Sequence, residues 1–392
     1  MVKVKKVSIV TPCYNGEKFI DRYMKMILEQ TYSHLELVFI NDGSTDQTEK
    51  IVKSYEVRLK EKNIDFVYCY QKNAGQAAAI NKGLQMFTGD YFVYPDADDI
   101  LLPDSIQKRA EFLDNHTEYG FVGSKGWDAY EDDLDHYVLV APRQNGVVEN
   151  LFMETIKNEW TTFTCTYMFR RDAFFKSLPS RKIYMNSDFT LQDVQMLLPI
   201  AYHYKCGFLE DYLYVRVIRS DSHSQRREPY SKLLIRNDAI EDVYMQTIKE
   251  ISMPIKERDV YIELVKCWFL RLRKYILLNY ALEKEVCSLY SLLKNKCNGR
   301  DLVVFGTGED AMKLMTILPQ QEYPCYFIDN NVDQQGKLFW GLTVKSLNLM
   351  KQEKSKFFIL VVTSQYGIQI KKQLLQEGFT YCKDFVLFED IL

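Results

Sequence analysis

Asp96, Asp98 and Asp99 place three carboxylates within four residues, directly after the apolar run Tyr91–Tyr94. Like charges so close repel one another, and a hard divalent cation relieves the repulsion. Carboxylates completed by phosphate oxygens are the usual ligand set for Mg²⁺ or Mn²⁺. The same residues also suit a solvated turn into a helix expected at Pro103, where acids meet the positive end of the helix dipole. Asp42, in the run NDGSTD, can accept from a nucleobase imino N–H or a ribose hydroxyl. With Gly43 it equally suits an Asx turn. In the stretch Lys72–Gly83, Gly75 and the alanines permit close backbone approach, and a new helix offers free N–H groups to an anion. Asn73 there can hydrogen-bond a sugar or ribose, and Lys72 or Lys82 can add positive charge.

The elements that must position these residues follow from the hydrophobic pattern. Val7–Pro12, Leu35–Ile40, Asp65–Tyr70 and Tyr91–Tyr94 read as strands. Between them lie helical patterns through Phe19–Leu28, from a capping box at Ser44 and Gln47, and over Gln76–Phe87. Strand–helix alternation with short loops implies a mostly parallel sheet covered by helices on both faces. Ligands of such sheets sit at the carboxyl ends of the strands. TPCYN, NDGSTD and PDADD all fall there, so the chemical loops gather on one edge by topology. Later strands are expected at Phe121–Trp127, Tyr137–Val140, Thr164–Arg170 and Tyr212–Ile218, with a helix over Asp188–Tyr202.

Length and composition bound the rest. A chain of 392 residues suggests two or three domains. A formal charge of −3 argues against nucleic acid as a partner. No run reaches the roughly 18–20 apolar residues of a membrane span. The nine cysteines are scattered with no C-x-x-C pair, which speaks for reduced thiols and a cytoplasmic setting.

T-P-x-Y-N, N-D-G-S-T-D, N-x-G-x-A-x-A-x-N-x-G and D-A-D-D, in this order, closely resemble the family 2 glycosyltransferases of the GT-A fold. The likeness is nearly letter for letter over residues 7–104 and more diffuse to about residue 225. It implies a nucleotide-diphosphate sugar as donor and inversion at the anomeric carbon. Pro12, Tyr14 and Asn15 would border the nucleotide, and Asp42 would hold the base, with uracil or thymine expected. Asp96 and Asp98 would form the D-x-D pair, Asp98 as a direct ligand of Mn²⁺ or Mg²⁺ and Asp96 on the ribose or the metal. The family's catalytic base lies in a Glu-Asp pair opening a helix. Gln192-Asp193 is the best match and makes Asp193 the base, although Gln192 removes one charge from the pair. Asp188 is second choice and Glu210-Asp211 third. A Tyr-Arg-x-His stretch of the family corresponds to the region of Arg216, where Ile218 stands in place of the histidine. His223 could reach the metal instead. Arg216, Arg219, Arg226 and Arg227 could clamp diphosphate. Trp127, Trp160 and Thr161–Thr166 could line an acceptor groove, or simply pack.

The expected architecture is thus α/β: a GT-A catalytic domain with a mixed, mostly parallel sheet (residues 1–227), a helical connector (228–297) and a small Rossmann-like domain (298–392). In the last, Gly306, Gly308 and Ala311 follow a strand and open a helix, and Asp329 ends the next strand. That spacing fits a nucleotide-binding turn. The tail also resembles the small front domain of bacterial nucleotide-sugar acyltransferases, through VVFGTGEDA, YFIDNN and WGLTV. The expected acceptor is a glycan or lipid-linked sugar. Peripheral contact with the inner face of a membrane, through the basic patches of the connector, and a homo-oligomer are compatible with the sequence. Two rival readings remain at this point: a non-catalytic nucleotide-sugar-binding scaffold, and a bifunctional enzyme with an NAD(P)-using tail.

Overall fold

The structure, a computed structural model, describes residues 4–139, 150–157, 166–184, 191–219, 229–280, 291–318, 323–363 and 366–391. It divides into two compact units, residues 1–227 with 239–265, and residues 228–238 with 266–392.

The first unit begins with β1 (Val7–Cys13), α1 (Ile20–Leu28), β2 (Leu35–Asn41), α2 (Thr48–Ser54), α3 (Glu56–Glu61), β3 (Asp65–Tyr70), α4 (Gln76–Met86) and β4 (Tyr91–Val93). The four strands lie side by side in the order β3-β2-β1-β4, all parallel. Every residue of β1 and β2 is buried, as both faces of a parallel sheet require. One face packs through Ile9, Leu37 and Phe39 against Ile20, Tyr23 and Ile27 of α1. The other packs through Val10, Val38 and Ile40 against Ala77, Ile80 and Leu84 of α4. Gly83 makes the second contact close, since a Cβ there would lie 2.4 Å from Val10 Cγ1.

Then come β5 (Ile100–Leu101), α5 (Ser105–Asn115), β6 (Tyr119–Tyr130), β7 (Asp133–Val138), α6 (Leu151–Ile156), β8 (Met168–Arg170), α7 (Arg171–Ser177), α8 (Gln192–His203) and β9 (Lys205–Ile218). β8 joins β4 antiparallel and continues the sheet to β6, β9 and β5. The sheet is therefore mixed, as the sequence resemblance implies, and it has the GT-A architecture. β6 and β9 are longer than the sequence pattern indicates. Register shifts between Ser124 and Gly126 break the strict alternation that would reveal one continuous strand.

Helices α9 (Tyr230–Glu250) and α10 (Ile255–Tyr280) follow, and each contributes residues to both units. The second unit adds β10 (Asp301–Phe305), β11 (Tyr326–Ile328), β12 (Leu338–Phe339), β13 (Leu342–Lys345), β14 (Phe357–Val361) and β15 (Phe385–Leu387). Their order is β12-β13-β11-β10-β14-β15, parallel throughout except for the β12–β13 hairpin. The chain winds outward from β10 to β11 and β13, then returns to β14 on the opposite side of β10. This reversal opens a crevice at the carboxyl ends of β10 and β14.

Candidate active site

The loops after β1 and β2 are stitched together. Asn15 adopts a left-handed conformation (φ 50°), which asparagine tolerates better than most residues. Its backbone N–H donates to Ser44 Oγ at 2.9 Å, and its side-chain oxygen accepts from the Thr45 N–H at 2.8 Å. Ser44 is thereby committed, and the capping box expected from the sequence does not form. The α2 helix starts at Thr48 instead, and Asp46 Oδ1 accepts the Thr48 N–H at 3.0 Å. Pro12 lies buried within β1, whereas Tyr14 is half exposed at its tip.

Asp42 is buried and ties the β2 exit to the loop before α4. Its Oδ1 accepts from Gln71 Nε2 at 2.7 Å and from the Ala74 N–H at 3.0 Å, and its Oδ2 accepts from the Gly75 N–H at 2.9 Å. Gly75 needs its positive φ of 88° to turn the chain into α4. Gly43 (φ 76°) lies so close to Asn73 that a Cβ would come within 2.5 Å of the Asn73 nitrogen. Asn73 itself is exposed on this edge.

The acidic run after β4 divides into separate environments. Asp99 turns inward, where its carboxylate accepts from the Tyr214 hydroxyl and, at 2.8 Å, from the Val217 N–H. Burial and the Asp98 charge push its pKa up to about 7. Asp96 accepts from Gln76 Nε2 at 3.1 Å, and Gln76 also donates to the Tyr94 hydroxyl at 3.1 Å. The Asp96 pKa lies well above the ordinary carboxylate range, because of burial and then the charges of Asp99, Asp98 and Asp193. Asp193 is the second residue of α8 and half-buried, so α8 brings it within electrostatic reach of Asp96. Leu191, at the start of α8, is left-handed (φ 39°), an unfavourable state for a leucine.

Asp98 is partly exposed. Its Oδ2 meets Arg219 NH1 at 2.9 Å, and its backbone carbonyl accepts from Arg22. Arg219 thus stands where a cation would neutralise Asp98. Arg216 is engaged elsewhere, its Nε donating to the fully buried Asp128 at 2.8 Å. Glu210 and Asp211 pair with Lys125 and Lys108. Trp127 stacks on Tyr212 with ring centroids 3.8 Å apart. His223, Asp188, Trp160, Thr161, Arg226 and Arg227 lie outside the described residues.

Among the described residues, no three His, Cys, Asp or Glu side chains converge in a metal-ligating geometry. The oxygen donors of Asp96 and Asp98 nevertheless fit a hard cation. Such an ion commonly takes one or two carboxylates and completes its shell with substrate phosphates. Burial first, and then the neighbouring carboxylates, raise the pKa of Asp96. Gln76, Asp99 and Tyr214 were not singled out as supporting contacts by sequence reasoning. Gln76 could have been found as the first residue of the Gly-turn helix, but the Tyr214–Asp99 contact bridges 115 positions and leaves no local signal.

In the second unit Gly306 has φ 114° and Gly308 precedes the helix Glu309–Ile317. Asp329 faces the same turn. Its Oδ2 accepts from the Thr307 N–H at 2.9 Å and the Thr307 hydroxyl at 2.6 Å, and its Oδ1 accepts from the Asn331 N–H at 2.8 Å. The structure thus gathers Gly306, Gly308 and Asp329 around one cavity of about 760 Å³.

Residues 8–178, the segment that carries most of this site, match the family model for glycosyl transferase family 2. An uncharacterized glycosyltransferase of Rickettsia typhi is 30% identical over 145 residues, 37% of this chain and 43% of the relative. Glycosyltransferase GlyA of Streptococcus pneumoniae is 35% identical over 156 residues, 38% of this chain and 22% of GlyA. TuaG of Bacillus subtilis, provisionally named for teichuronic acid biosynthesis, is 35% identical over 118 residues, 30% of this chain and 46% of TuaG. The chain thus spans less than half the length of these curated relatives. In fold it is similar to residues 1–349 of TarS of S. aureus, solved with UDP-GlcNAc. The TM-score is 0.54 at 19% identity, over 74% of this chain and 81% of TarS 1–349.

Proposed function

We propose that the chain is an inverting, metal-assisted glycosyltransferase that moves a sugar from a nucleotide-diphosphate donor to a hydroxyl of a glycan or lipid-linked acceptor. The observation that carries this reading is the placement of Asp96 and Asp98 directly after β4, on the edge where the parallel strands β1, β2 and β3 end, with Gln76 at the start of α4 bound to Asp96. UDP is the first nucleotide to test, because TarS, which shares the fold, was solved with UDP-GlcNAc.

In this reading Asp98 and Asp96 hold Mn²⁺ or Mg²⁺ together with the donor diphosphate. The bound ion supplies Lewis-acid neutralisation of the leaving nucleoside diphosphate. Asp42 has accepted three donors, and a carboxylate offers about four lone-pair sites. One direction therefore remains for a base imino group, and the three bonds fix where it points. Asn15, Asn73 and Tyr14 border the nucleotide, and Gly75 lets the backbone approach the donor closely. Arg219 exchanges its Asp98 contact for the diphosphate as the donor enters. Arg216, braced by Asp128, supports β9 beneath it. Asp193 accepts the acceptor proton as the hydroxyl attacks C1 from the face opposite the leaving group. A lipid-linked acceptor would bring the chain to the inner face of a membrane. No described helix is long and apolar enough to cross one.

The base assignment is tested with Asp193→Asn. Donor binding should stay within about threefold of the parent while sugar transfer falls by roughly 10²–10⁴-fold. Transfer retained in this variant would move the base elsewhere. Unchanged binding with no transfer in either protein would favour a donor-binding scaffold.

A further inference from the structure

The crevice of the second unit has the position and volume of a small-molecule site. Its turn follows a dinucleotide-like spacing, but its chemistry points elsewhere. The charged residues among its described lining are Glu309, Asp310 and Asp329, all acidic; Glu309 pairs with Lys313 at 2.7 Å and Asp310 with Lys274 at 2.9 Å, just outside that lining. A phosphate entering here would have to compete with these carboxylates for lysines already held in ion pairs. The positive end of the helix Glu309–Ile317 is already offset by Glu309 and Asp310 in its first turn. Asp329 accepts three hydrogen bonds, two from Thr307 and one from the Asn331 N–H, which hold the turn in place.

What the crevice offers instead is neutral hydrogen-bonding capacity beside an aromatic face. Asn330 and Gln373, from opposite sides of the opening, exchange amide hydrogen bonds at 2.7 and 3.2 Å. Each amide carries two donors and two acceptor lone pairs, so the exchange leaves one N–H and one lone pair on each. That edge matches a hydroxyl, which both donates and accepts. Gln334 and Gln369 add further amides to the lining. Tyr366 lies at the same opening with half its surface exposed. A flat aromatic face pairs with the apolar C–H face of a pyranose, while the amides pair with its hydroxyl rim.

We propose that this crevice is a second, non-catalytic carbohydrate site that takes a neutral glycan rather than a nucleotide. It is independent of the donor site in the first unit.

The test is calorimetric titration of the full chain with neutral oligosaccharides of glucose, galactose and N-acetylglucosamine, and separately with NAD⁺ and UDP. The proposal expects at least one neutral oligosaccharide to bind. Tyr366→Ala should weaken it roughly tenfold, and Gln373→Ala by a similar factor. Both substitutions lie at the rim, and a thermal melt shows that each variant is folded. Asp98→Ala, which disables the proposed donor site, should leave this oligosaccharide binding unchanged, so the two sites fail separately. Oligosaccharide binding untouched by Tyr366→Ala and Gln373→Ala, or no binding by any of the sugars, overturns the proposal. So does NAD⁺ or UDP binding that Tyr366→Ala abolishes, which would return the crevice to a nucleotide role.

Discussion

Asp98 and Asp99 are neighbours in the chain and opposites in environment. Asp98 faces the loop edge and pairs with Arg219, whereas Asp99 is buried against Tyr214 and the Val217 N–H. The sequence shows three carboxylates that could share a cation. Only the sheet beyond β4 shows that the third anchors β9. Asp42 likewise does two jobs, since its three accepted bonds hold the turn into α4 whatever it contacts on a donor. Asp42→Ala leaves the Ala74 and Gly75 N–H groups without that acceptor. It should cost roughly 2–4 kcal/mol, read as a lowered urea midpoint at unchanged slope. Asp42→Asn keeps the shape but loses the charge, and it should weaken UDP binding more than it lowers the midpoint. A midpoint unmoved by Asp42→Ala would mean that the loop is held by something else.

At the scale of elements, the first four strands and the helices between them are legible because short apolar or aromatic runs alternate with helical spacing, most plainly at the fully buried β1 and β2. Their boundaries in the structure fall within a residue of the sequence expectation at β1, β2, β3 and β4. The α2 start is not, because Ser44 has the right spacing for a cap and a stronger use as partner of Asn15. The short strands β5 and β15 and the β12–β13 hairpin carry too few residues for a pattern to emerge. Gly83 is read from sequence only as part of a small-residue helix, while its packing reason is Val10. Gly83→Ala raises helix propensity yet drives a methyl into a stiff β-branched side chain. A net loss of about 1–3 kcal/mol is expected in chemical denaturation. A gain in stability would show that β1 and α4 part easily.

For the whole molecule, the sequence separates a catalytic front from a Gly-turn tail, and the structure shows why each can stand as a core. In the tail, Lys274 is almost fully buried. It donates to the Val362 carbonyl at 2.7 Å and meets Glu389 at 3.0 Å and Asp310 at 2.9 Å. No sequence pattern announces this cluster, because its members come from α10 and from three separate places between Asp310 and Glu389. Removing one partner of a buried charge cluster leaves the others uncompensated. Lys274→Met should therefore cost about 3–5 kcal/mol in the second unit. Retained stability would mean that water reaches Asp310 and Glu389.

On the proposed function, the acidic edge after β4 takes a cation together with a nucleoside diphosphate. Thermal unfolding of the full chain with UDP, with Mn²⁺, and with both addresses this directly. The expected result is a stabilisation by UDP and Mn²⁺ together that exceeds the sum of the two alone and disappears in Asp98→Ala. Equal stabilisation by UDP without metal, or a joint effect that survives Asp98→Ala, would contradict it.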